Sequence, residues 1–122
     1  MINGTHVLLY TANPDADRAF FRDVLELRAV DAGGGWLIFA MPPAELALHP
    51  SESAGTQPPA EAMAGAHIYL MCDDVRATVK ELAAKNVRCS ELQVERWGIR
   101  TAIPLPGGGA IGLYQPTHPT AV

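Results

Sequence analysis

Residues 5–15 and 66–76 share one pattern of apolar and polar positions. In each, a histidine (His6 or His67) opens a run of about six apolar residues, an Asn or Asp breaks the run, and a helical pattern comes next. The runs are too short for ordinary helices and rich in Val, Leu, Ile and Tyr, which predicts strands over 5–11 and 67–72. Along the first, alternation puts His6, Leu8 and Tyr10 on one face. Asn13, Pro14 and Asp15 predict a helix start: Asn accepts from free amides, Pro at the first helical position loses no bond, and Asp opposes the dipole. That helix should reach Leu25, with Ala16, Phe20, Val24 and Leu27 near one face. Short strands should come after it over 29–31, 36–41 and 45–49, with a turn at 32–35.

The second pass repeats the order. Asp73 or Asp74 should cap a helix over 75–85 whose buried stripe is Val75, Val79, Leu82 and Ala83, and Asn86 is placed to stop it in a left-handed conformation. Strands are predicted over 88–94, 98–105 and 110–115, with the glycines at 107–109 turning between the last pair. The closing segments also echo one another, since Leu46, Ala47, Leu48, His49 and Pro50 resemble the run from Ile111 to Pro116. The expected organisation is one domain with a first module over 1–50, a Pro- and Ser-containing linker over 51–65, a second module over 66–116 and a tail over 117–122.

Composition narrows the partners more than the chemistry. A chain of 122 residues with 48% hydrophobic and 18% charged residues can hold a core without staples. Nine basic against 13 acidic residues give a net charge of -4, which argues against nucleic acid, whose binding needs a basic patch. No run approaches the ~20 apolar residues of a membrane helix, and the N-terminal residues lack a signal pattern. Cys72 and Cys89 form no Cys-x-x-Cys pair, which fits a reduced, cytoplasmic protein.

Among polar and aromatic candidates, an isolated strand histidine is more often a hydrogen-bonded core residue than a ligand, but His6 and His67 at equivalent repeat positions keep both readings open. His118, in a proline-flanked tail, reads as exposed. Trp97, beside Gly98, reads as a wall for a planar ligand; Trp36 reads equally as wall or core. Arg96 and Arg100 bracket Trp97 as anion clamps or as surface charge. No nucleophile with a base partner is visible, so catalytic residues are not assigned.

The duplicated strand-helix-three-strand pattern resembles the vicinal oxygen chelate superfamily, which includes glyoxalase I, bleomycin-resistance proteins and extradiol dioxygenases. It is carried by His6-Val7-Leu8-Leu9-Tyr10, the stretch from Phe20 to Leu27, and Gly107 to Pro116. The resemblance implies an α+β fold in which two tandem βαβββ modules form a cup-shaped mixed sheet, with a homodimer completing or covering the cavity. It also implies metal ligands on the first and last strands of each module. His6 and His67 match the first-strand positions; where the family has Glu before the final Leu of each module, this chain has Ala47 and Gly112. His49 and Tyr114 lie two residues beyond those positions, on the same strand face. A site of His6, His49 and His67 for Fe, Mn, Ni or Zn, with Tyr114 or Glu45 nearby, is therefore one expectation. The favoured expectation is a protein that binds a small organic ligand through Tyr10, Tyr69, Trp97, Tyr114, His6 and His67, without a complete family metal site. The alternative is a metal-dependent lyase, isomerase or extradiol-type dioxygenase using His6 and His67. Whether the chain is an enzyme stays open between them.

Overall fold

The computed structural model describes Val7, residues 9–45, residues 68–120 and Val122. His6, His49, His67, Ala47 and the expected linker lie outside the described residues, as does most of the strand expected over 45–49. Of the strand expected over 5–11, the described residues 7 and 9–11 form none.

Helix α1 spans Pro14–Asp23. Asn13 caps it, its side chain accepting from the Ala16 amide, and Pro14 occupies the first turn. The helix ends earlier than its apolar stripe suggests, because Glu26 takes a left-handed φ of 57° and reverses the chain. Strands β1, Ala29–Asp31, and β2, Leu37–Phe39, pair antiparallel with Val30 opposite Ile38. Their turn is closed by the Asp31 carboxylate, which accepts from the amides of Gly33 and Gly35.

The second half carries the expected order in full. Strand β3, Tyr69–Met71, leads to α2, Val75–Ala84, and then to β4, Gln93–Glu95, β5, Gly98–Pro104, and β6, Ala110–Pro116. Asp74 rather than Asp73 is the cap, accepting from the Ala77 amide, and Asn86 is left-handed at φ 63°. The sheet order is β3-β6-β5-β4, with β3 parallel to β6 and the other pairs antiparallel. Residues 88–92 form no strand, so the strand expected over 88–94 is reduced to its last part. Ser90 instead braces β5, accepting from Thr101 Oγ1 at 2.6 Å through its carbonyl and from the Ala102 amide through its hydroxyl.

Alternation along β5 and β6 separates two faces. Ile103, Ile111 and Leu113 point into a core with Val75, Leu82 and Val87, and Phe20 of α1 joins the same core. Both helices therefore pack on one face of the four-stranded sheet. Ile103 and Val75 are fully buried, so Ile103→Ala should cost about 2–5 kcal/mol. Polar ties join the halves, among them Gly107 N–H donating to Asp17 Oδ1 at 2.7 Å and Lys85 Nζ donating to the Val24 carbonyl at 3.1 Å. The opposite sheet face carries Gly98, Arg100, Ala102, Gly112 and Tyr114.

Candidate functional site

Parallel pairing sets Tyr69 of β3 directly opposite Gly112 of β6, and the absence of a side chain at 112 decides where the tyrosine ring can lie. The Tyr69 ring fills the space over Gly112: a Cβ there would fall 2.6 Å from Tyr69 Cε1 and 2.9 Å from Cγ. Gly98 plays a similar part for Tyr114, whose Cδ2 would lie 3.0 Å from an added Cβ. Two small residues thus let large rings lie low on the sheet.

The rings of Tyr69, Trp97 and Tyr114 meet edge to face, with centroid separations of 5.8, 5.6 and 5.3 Å for the Tyr69–Trp97, Tyr69–Tyr114 and Trp97–Tyr114 pairs. Tyr114 at the centre is 9% exposed, whereas Tyr69 is 36% exposed and Trp97 is half-buried. Arg100 stands opposite Tyr114 on the same face, its guanidinium donating to Glu95 Oε1 at 3.1 Å and to Gln93. The Arg100 charge is therefore already matched within its own hairpin, and an anion would compete with Glu95 for it.

The tail adds a residue that reads from the sequence as merely exposed. Thr117 N–H donates to the Trp97 carbonyl at 3.0 Å and its hydroxyl to the Arg96 carbonyl, which turns the chain back over the β4–β5 hairpin. His118 is thereby half-buried and stacked on Tyr114, with ring planes 24° apart. Its Nε2 lies 3.2 Å from the Tyr114 hydroxyl and 4.0 Å from Glu45 Oε1, and its Nδ1 lies 2.7 Å from the Pro119 carbonyl oxygen. Burial first, and the Glu45 carboxylate second, push the Tyr114 phenol above its ordinary pKa. His118 is the site residue that sequence reasoning missed, and Glu45, expected only as a neighbour of a three-histidine metal site, stands beside it. The one signal available for His118 was a histidine shortly after the last strand, and nothing in strand periodicity says that a tail will fold back.

The other sequence candidates are dispersed. Tyr10 is 91% exposed and, among the described residues, packs on no other ring. Trp36 is exposed and lies beneath the Arg18 guanidinium, 4.5 Å from its centroid, away from the ring cluster. Cys72 and Cys89 are free thiols raised in pKa mainly by burial. Two open clefts lie elsewhere, one of about 160 Å³ beside Met71, Cys72 and Thr120 and one of about 390 Å³ along β1 and β2. Neither joins stacked rings to a hydrogen-bonded histidine, so the ring cluster is the stronger candidate.

A metal ligand at position 112 does not fit this arrangement. Glycine offers no donor atom there, and the volume a carboxylate would need is occupied by the Tyr69 ring.

Known proteins share this architecture. A family model described as the Glyoxalase/Bleomycin resistance protein/Dioxygenase superfamily matches residues 5–103. The chain is similar in structure to a lactoylglutathione lyase from Agrobacterium tumefaciens, with a TM-score of 0.63 and 19% identity over 93% of this chain and 92% of that one. It is similar to TnmS3, an antibiotic binding protein from Streptomyces sp. CB03234, with a TM-score of 0.60 and 23% identity over 96% of this chain and 100% of the other. A glyoxalase/bleomycin resistance protein from the same Streptomyces strain matches with a TM-score of 0.55 and 23% identity, over 86% of this chain and 93% of that one. No curated protein matches the sequence. At these identities the structural likeness speaks for the fold.

Proposed function

We propose, from the premise that the chain belongs to the Glyoxalase/Bleomycin resistance protein/Dioxygenase superfamily, that it binds a planar, largely apolar organic molecule against the rings of Tyr69, Trp97 and Tyr114. The observation that carries this reading is the occupation of position 112 by an aromatic ring where the family resemblance places a metal-binding carboxylate. A group that would chelate is replaced by a surface that stacks, and edge-to-face rings present π-faces and edges to an entering plane. The fold-level likeness to an antibiotic binding protein is compatible with it. His6 and His67, the sequence candidates on the first strands, would serve in this reading as hydrogen-bond partners to the ligand.

The same reading takes the chain as two βαβββ modules of one cup, paired as a homodimer. Val30 at 65% and Trp36 at 62% exposure leave apolar area on the β1–β2 side that a second copy would cover. Free cysteines at 72 and 89 agree with a reducing, cytoplasmic setting. Among the described residues, no helix is long and apolar enough to cross a membrane.

The test is analysis of protein purified without chelator, for transition metal and for retained organic molecules. Metal-poor protein carrying an aromatic compound is expected. Stoichiometric metal lost in His6→Ala would refute the reading.

A further inference from the structure

We infer that His118 fixes the Tyr114 hydroxyl as a hydrogen-bond acceptor toward the site, so that the site selects planar ligands bearing a hydrogen-bond donor, such as a phenol or an aromatic N–H. This rests on the proposed binding of planar molecules at the ring cluster and adds the polar half of recognition to it.

Donor count fixes the direction of each bond. The Pro119 carbonyl oxygen can only accept, so Nδ1 of His118, 2.7 Å away, must carry a proton. In a neutral imidazole the other nitrogen, Nε2, then holds a lone pair. The Tyr114 hydroxyl at 3.2 Å must donate to it. A hydroxyl has one proton and two lone pairs, so after this bond the Tyr114 oxygen has only acceptor capacity left. Any ligand group that reaches it must donate. Glu45 Oε1, 4.0 Å from Nε2, adds negative charge beside the pair and reinforces the preference against acceptor-only or anionic groups.

The groups placed against the His118 ring are the Tyr114 phenol from β6, the Glu45 carboxylate from the segment after β2, and the Pro119 carbonyl within the tail; the Arg96 backbone holds neighbouring Thr117.

The experiment is calorimetric titration of the full chain with naphthol and with its methyl ether, which matches the ring but lacks the donor. At about pH 8 the wild type should bind naphthol roughly 5- to 10-fold more tightly than the ether, the span of one net hydrogen bond. The ratio should fall to about one in His118→Phe, which keeps a stacking ring without nitrogens. Equal affinities in the wild type, or an unchanged ratio in His118→Phe, would overturn this inference while leaving aromatic binding standing. Binding of neither compound would overturn both. Independently of any ligand, the ¹⁵N shifts of the histidine that vanishes in His118→Phe should report the Nδ1–H tautomer; an Nε2–H tautomer would contradict the assignment.

Discussion

The ring of Tyr69 lies where the side chain of residue 112 would stand, and Gly112 is the residue that permits it. Each position therefore constrains the other. Gly112→Ala should destabilise the protein by about 1–3 kcal/mol through overpacking. The same substitution in a Tyr69→Ala background should cost little, so a denaturant-melting double-mutant cycle should return a coupling of about 1 kcal/mol or more. Additive effects would mean that the ring is not held over the glycine.

A second close approach joins the halves of the chain. The buried Asp17 carboxylate accepts from Gly107 N–H, and a Cβ on Gly107 would fall 2.7 Å from Asp17 Oδ2 and into Thr11 Oγ1. Asp17→Ala strands the amide and should lower stability by about 1–3 kcal/mol. Gly107→Ala should be destabilising too, by pushing α1 off the β5–β6 turn. Urea denaturation measures both; a neutral Asp17→Ala would show that the tie contributes nothing.

The raised Tyr114 pKa carries a pH dependence of definite sign. Burial and Glu45 disfavour the phenolate in the folded state, so the unfolded chain loses this proton first as pH rises. Stability from this group is complete below the unfolded tyrosine pKa and declines above it, from about pH 10 upward. Melting curves should show that decline in the wild type and a smaller one in Tyr114→Phe. An identical high-pH slope in both proteins would exclude Tyr114 as the source.

The two thiols should react slowly. Burial raises both Cys72 and Cys89, and Cys72 also lies near Asp73 and Asp74, which disfavour its thiolate further. Ellman's reagent at neutral pH should label the folded protein well below the rate seen in urea. Comparable rates would place either thiol in open solvent.

Capping chemistry is the most legible part of the fold in the sequence. Asn13, Asp74 and Asn86 act where local hydrogen bonding dictates, because a cap needs only its own few neighbours. Strand bounds are less legible: residues 88–92 mix polar side chains with Cys89 and Leu92, yet bond through Ser90 to β5 instead of forming a strand. Of the site, Tyr69, Trp97 and Tyr114 stand out in the sequence as aromatic candidates on or beside strands, and the fold brings them together. Glycine at 112 is legible as a missing carboxylate, but the ring that fills its place is not, since cross-strand register is a tertiary fact. His118 reads as exposed in the sequence because its position depends on Thr117 bonding back to Arg96 and Trp97.

Calorimetric titration of chelator-treated protein with naphthol, beside Tyr69→Ala and Trp97→Ala, is the most direct test of metal-free binding at the ring cluster. Saturable binding without any added metal is predicted, weakened about 10-fold or more when either ring is removed. Binding that appears only when Ni, Zn, Mn or Fe(II) is supplied, or that survives the loss of both rings unchanged, would contradict it.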